Sequence, residues 1–209
     1  MKAFEFKRGS EAWPVGETLL HVYALPDLHQ DQQLAELIRG CRRASAGYPL
    51  TYVEDPWLHI TVAQITDAVG RSTLADERQQ LASELQNALE SVDPFTVTIG
   101  SCLSYGSGLI FDVWPDGQME RLTNVVESVV ERVRGPEATR YDTGVAHLTL
   151  AYASGDADSD EIQRKLRRVR PSHAPMTIRS VHLVDVASDP DAKTITWTPP
   201  VAEIVLGQP

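Results

Sequence analysis

Two short segments of this chain share one pattern. Leu58-His59-Ile60-Thr61-Val62-Ala63 and Ala146-His147-Leu148-Thr149-Leu150-Ala151 both read apolar, His, apolar, Thr, apolar, Ala, and their histidines lie 88 positions apart. Imidazole titrates near pH ~6.5, so two of them can hold one proton between them at neutral pH and serve as base and acid in one reaction. A threonine hydroxyl two residues on can donate to an oxygen whose negative charge grows as bonds change. A lone histidine on a half-buried strand is ordinarily a hydrogen-bonded packing residue. A pair with a threonine at the same offset asks for a chemical reading. The other histidines do not: His21 and His182 sit in apolar strands and read as packing residues, and His29 and His173 flank turns and read as exposed. His182-Leu183-Val184-Asp185 lacks the hydroxyl, so it is no third copy. Ser104, Ser107 and Cys102 sit in no nucleophile elbow or cysteine-protease signature.

Both segments must be strands for the pattern to work. In a strand the side chains alternate faces, so His59 and Thr61 share a face above Ile60 and Val62, and His147 and Thr149 share one above Leu148 and Leu150. The surrounding periodicity agrees. Strands are predicted at Thr18–Leu25, Trp57–Ile65, Phe95–Gly100, Leu109–Trp114, Val145–Tyr152, Met176–Val186 and Thr194–Trp197. Helices are predicted at about 28–45, 73–91, 116–134 and 159–169, ended by breakers such as Gly47-Tyr48-Pro49, Asp93-Pro94 and Gly135-Pro136. Tyr105-Gly106-Ser107-Gly108 is hairpin chemistry. The order βαβαββαβαββ is α+β with mostly antiparallel strands. No linker or low-complexity stretch divides the chain, so residues 1–209 read as one two-lobed domain.

The paired His-apolar-Thr-apolar motifs, one in each half of a chain of this length and element order, resemble the two-histidine phosphoesterase superfamily, which includes the 2'-5' RNA ligase-like proteins and RNA 2',3'-cyclic phosphodiesterases. The resemblance runs from about Leu19 to Ile204 in element order and is specific at the two motifs. It implies two lobes related by a pseudo-two-fold, two antiparallel sheets flanked by helices, and a central cleft. It assigns His59 and His147 as catalytic and Thr61 and Thr149 as phosphate-binding. The implied activity is metal-independent opening of 2',3'-cyclic phosphates on nucleotides or RNA ends, with reversible 2'-5' RNA ligase activity when a ribose hydroxyl attacks in place of water, and no metal or cofactor. In-line displacement at phosphorus needs a base and an acid on opposite sides, which one histidine per lobe supplies. The residues do not say which is which; the working assignment is His147 as base and His59 as acid.

Relatives often carry a basic residue shortly after a motif threonine. Gln64 and Tyr152 stand there in this chain, which weakens the case for RNA chains and leaves small cyclic nucleotides more open. Arg140, before the second motif, is the nominated cleft cation, with Arg42 and Arg43 behind it. Tyr105 and Tyr152 are the nominated base-stacking residues, and Trp57 reads as core. Two readings from other classes stand beside the enzyme: a non-hydrolytic module that binds nucleotides or RNA ends, and a phosphoesterase for a specialised nucleotide metabolite.

Composition sets the outer limits. The chain has 209 residues, 42% hydrophobic and 23% charged, with a formal net charge of −10. That acidic field disfavours long duplex DNA and anionic membranes. No apolar run reaches the ~18 residues of a membrane span, and the N-terminus reads as no secretory signal. Cys41 and Cys102 are too few for a disulfide scaffold or a four-cysteine zinc site. The expectation is a cytoplasmic monomer with reduced thiols, whose partner is a nucleotide or RNA end. One segment departs from the acidic average: Arg164-Lys165-Leu166-Arg167-Arg168-Val169-Arg170 is basic at five of its seven positions. It reads either as a solvated helix face or as a contact surface for an RNA backbone.

Overall fold

In chain order the strands and helices are β1 (Lys7–Arg8), β2 (Glu11–Ala12), β3 (Thr18–Ala24), α1 (Gln32–Ala44), β4 (Leu50–Tyr52), β5 (Ile60–Ile65), α2 (Ala75–Leu89), β6 (Phe95–Tyr105), β7 (Gly108–Trp114), α3 (Asp116–Arg134), β8 (His147–Ala153), α4 (Ser159–Leu166), β9 (His173–Ile178), β10 (Ser180–Asp189), β11 (Thr194–Trp197) and β12 (Ala202–Val205). The computed structural model describes residues 1–8, 11–13, 16–141 and 143–207.

The fold is α+β, with two antiparallel half-sheets. One is built from β11, β10, β3 and β5, with β12 also on β10; the other from β8, β7, β6 and β9, with β4 also on β8. A single pair, Ile60 with Leu148, joins them between β5 and β8. The halves correspond strand for strand about that pair, β5 to β8, β3 to β7, β10 to β6, which is the pseudo-two-fold. Beyond the shared pair β5 and β8 diverge, and the curled sheet opens a cleft along its middle.

The helices cross between lobes. α1 leaves β3 of the first lobe but packs on β9 and against α4, which covers β6. α3 leaves β7 of the second lobe but packs on β5 and against α2, which covers β12. Each helix presents one apolar face, Leu34, Leu37, Ile38 and Cys41 on α1 and Leu122, Val126, Val129 and Val130 on α3, all buried. The caps follow from sequence: Asp158 accepts from the backbone N–H of Asp160 and Glu161 at the start of α4, and Gly135 takes a φ of 92° to end α3. The thiols of Cys41 and Cys102 are buried and hydrogen-bonded to each other; that neighbour, with burial, pushes the Cys102 thiol up.

Three expectations change. The predicted strand at Met176–Val186 is two strands that part at exposed Arg179, because β9 completes the second lobe on β6 and β10 lies on β3 in the first. Trp57 to His59 precede β5 rather than belonging to it, since Asp55–Trp57 form a 3-10 turn with Pro56 inside it. β4, β12 and the β1–β2 ribbon are additional; all are two to four residues long, too short for a period-two signal. As for membrane spans, among the described residues no helix is long and apolar enough to cross a membrane.

Candidate active site

The pairing of Ile60 with Leu148 carries the site. Antiparallel register then places His59 opposite Thr149 and Thr61 opposite His147. Ile60, Val62, Leu148 and Leu150 are fully buried beneath, so the other face presents the four polar residues at the corners of a quadrilateral. The histidines occupy one diagonal and the threonines the other, and the imidazoles are near enough for His147 to act electrostatically on His59. All four line a cleft of about 560 Å³.

The two imidazoles are held alike. His59 Nδ1 lies 2.8 Å from the Trp57 carbonyl oxygen and His147 Nδ1 lies 2.8 Å from that of Val145. A carbonyl only accepts, so each Nδ1 carries the proton and each Nε2 is left as a lone pair at neutral charge. Their environments differ. His59 is 6% exposed, stacked on Tyr23 at 4.0 Å and 19°, with Trp197 edge-on at 5.4 Å and 84°. Burial pushes its pKa down to about 4, against the Trp57 hydrogen bond, and the nearby His147 adds to the fall. His147 is half-buried and pairs across β7 with Asp112, which also lines the cleft.

The secondary nominations divide. Tyr105 lines the cleft at the end of β6 and is 67% exposed, a free aromatic face at the rim. Tyr152 also lines it but is packed against Phe4 and Phe6, with centroids 4.6 Å and 5.1 Å away, and its side chain is hydrogen-bonded to Thr149. It buttresses a threonine and offers no open face. Arg140 is not among the residues that line the cleft; its guanidinium lies 3.3 Å from Glu137 and over the Tyr141 ring. Arg42 is turned to Asp55 and the Val53 carbonyl, outside the cleft. Among the described residues Lys7, on the N-terminal ribbon, is the one Lys or Arg lining it.

Other lining residues were not nominated from sequence. His21 reads there as a packing residue, yet it lines the cleft with its Nδ1 2.6 Å from the Tyr23 hydroxyl. Burial pushes its pKa down to about 3, with His59 adding to the fall. Phe4, Phe6 and Trp13 form an apolar wall beside it. The alternation of Thr18–Ala24 already put His21 and Tyr23 on one face; what was missing was the face's neighbour.

A profile of the 2'-5' RNA ligase superfamily matches residues 26–190. The chain belongs to the 2'-5' RNA ligase superfamily. The match leaves out residues 1–25, which supply Phe4, Phe6, Lys7, Trp13, His21 and Tyr23 to the cleft. Solved structures share the fold at low identity. TT0787 of Thermus thermophilus superposes with a TM-score of 0.66 at 16% identity, over 90% of this chain and 98% of that one. E. coli LigT complexed with 3'-AMP gives 0.64 at 15%, over 92% and 99%. The MHV ns2 PDE domain gives 0.55 at 11%, over 81% and 99%. No curated protein matches the sequence significantly.

Proposed function

We propose that this superfamily member is a phosphodiesterase that opens 2',3'-cyclic phosphates on nucleotides or RNA ends by two-histidine acid–base catalysis, without a metal. The observation that carries the reading is the diagonal arrangement of His59 and His147 with both Nε2 atoms unprotonated at neutral charge. A phosphate seated between them meets an imidazole on two opposite sides, as in-line displacement requires, and a threonine hydroxyl at each remaining corner. That LigT, of like fold, is found with 3'-AMP and with phosphate supports a nucleotide-sized ligand here.

Burial orders the pair in the reverse of the working assignment. His59, desolvated to a pKa of about 4, is the neutral partner at pH 7 and takes the proton of the attacking water. His147, more exposed and with Asp112 across from it, carries the proton to the departing ribose oxygen. Thr61 and Thr149 donate to the non-bridging oxygens, whose charge grows toward the transition state. Tyr105 at the rim offers a face for a base.

The test is hydrolysis of the four nucleoside 2',3'-cyclic monophosphates, and of a short RNA ending in a cyclic phosphate, by chelator-treated protein. Wild type runs beside His59→Ala and His147→Ala, with 2'- and 3'-monophosphates resolved. Turnover lost in both variants is expected. Tight binding without product from the wild type would instead identify a binding module.

A further inference from the structure

Among the described residues one Lys or Arg lines the cleft, and half of the chain's other 18 cations are gathered elsewhere. Residues 32–45 and 159–179 hold nine of the 19 Lys and Arg but three of the 29 Asp and Glu. These 35 residues carry a formal +6 in a chain of −10, leaving −16 on the other 174. Folding makes them one face. α1 packs on β9 and against α4, and at Gly40 the helix comes so close to Val169 that an added Cβ would sit 2.7 Å from its side chain. Gly40 of α1, between Arg39 and Arg43 in the chain, thus touches the Arg164–Arg170 segment at Val169, and Arg179 lies at the β9–β10 corner.

The charges on this face are largely unspent. Of the nine, Arg42 pairs with Asp55 and Lys165 with Glu161; the other seven form no ion pair with a described residue. Between α1 and the corner lies a second cavity, of about 740 Å³, lined by Arg39, Arg42 and Arg179. Its acids are already engaged. Asp55 is held by Arg42 at 2.7 Å, Asp27 accepts the backbone N–H of His29 and Gln30, and Glu203 accepts from Ser180 and lies 3.7 Å from His182. Arg39 and Arg179 form no ion pair among the described residues, although Arg179 is near enough to Asp31 to favour its charged form. Asp55 and Pro56, also in the wall, belong to the turn that delivers His59.

We propose that this face, formed by α1, the Arg164–Arg170 segment and Arg179 around the second cavity, docks the sugar-phosphate backbone of a single-stranded RNA whose end enters the cleft. Eight of the nine cations are arginine, whose planar fork suits phosphate oxygens. Among the described residues Lys7 is the one Lys or Arg lining the cleft, so the other phosphates of a bound chain find their cations outside it. A bilayer is the poorer fit. Among the described residues the large exposed apolar side chains are Leu74, Leu103, Tyr105, Trp114, Val145 and Val201, and none lies in residues 32–45 or 159–179. The choice of RNA rests on the proposed reading of the cleft; the surface itself does not.

The experiment is fluorescence anisotropy with a labelled 12-nucleotide RNA bearing a 3'-hydroxyl, which cannot be a substrate, titrated at several salt concentrations. Wild type is compared with the fourfold variant Arg39→Ala/Arg167→Ala/Arg168→Ala/Arg179→Ala, each checked by thermal melting. The fourfold variant should bind at least ~10-fold more weakly, with a salt slope smaller by up to ~0.7 for each phosphate that is no longer neutralised. Unchanged binding in the fourfold variant, or phosphatidylserine vesicles bound while RNA is not, would overturn the proposal. Cyclic mononucleotide turnover, measured alongside, reports on the cleft alone: its absence would sink the catalytic reading and leave the RNA result to stand by itself.

Discussion

The ring of Tyr23 lies stacked on the imidazole of His59, 4.0 Å between centroids and 19° from parallel. With Trp197 edge-on beside it, the stack keeps water from the ring that the proposed mechanism needs unprotonated. In the proposed mechanism protonation of His59 switches the base off, and its pKa of about 4 sets where that happens. The acid limb of kcat/KM should therefore have its midpoint near pH 4, well below an ordinary imidazole. Trp197→Ala rehydrates the ring and should move the limb upward toward 6.5. A wild-type midpoint between 6 and 7 would rule out His59 as the base.

The four cleft residues should fail as a unit. His59→Ala and His147→Ala should each cost ~10²–10⁴-fold in kcat. The double variant should cost little more than the worse single one, because half an acid–base pair leaves little to lose. Thr61→Val and Thr149→Val should each cost ~10–10³-fold, as for one donor to a developing oxyanion. Thr149→Val also removes the partner of Tyr152, so Tyr152→Phe is its control. Independent, multiplying losses in the double-histidine variant would argue against one shared transition state.

The quartet was legible in sequence because strand alternation and a repeated offset are local properties. His59, Thr61, His147 and Thr149 needed no knowledge of which strands are neighbours. The rest of the cleft did. His21 and Tyr23 line it because β3 lies beside β5, and Trp197 reaches His59 because the chain returns through β10 to the first lobe at Arg179. Arg140 looked close to His147 in sequence, yet the irregular chain between them turns it onto Glu137 and Tyr141. The helices were readable one by one from their apolar faces. That α1 and α3 cover the opposite lobe from the strand each follows has no local signal at all.

The two buried histidines make stability depend on pH. His21 and His59 titrate at about 3 and about 4 in the folded chain, against 6.5 for an unperturbed imidazole. Above pH ~6.5 both are neutral folded or unfolded and contribute no slope. As pH falls below that, the unfolded chain gains both protons while the folded chain refuses them. Each histidine then costs ~1.4 kcal/mol per pH unit, His59 down to pH ~4 and His21 down to ~3. Urea unfolding between pH 6 and 4.5 should show this decline, and His21→Phe should reduce its slope by about one proton. An unchanged slope in that variant would mean that His21 charges in the folded protein.

The rim of the cleft offers a paired test of packing. At Gly108, where β7 begins, an added Cβ would lie 2.4 Å from the Ala151 carbonyl oxygen of β8, backbone that cannot turn aside. At Gly106, two residues earlier in the same hairpin, a Cβ would meet nothing within 4 Å. Gly108→Ala must push β7 away from β8 at the pair Leu109–Ala151, close to the strand that carries His147 and Thr149. It should cost ~1–3 kcal/mol in chemical denaturation, as for an overpacked site, and lower kcat as well. Gly106→Ala should leave both quantities near the wild type. Equal effects of the two substitutions would show that the hairpin responds to the loss of glycine flexibility and not to the close approach of β8.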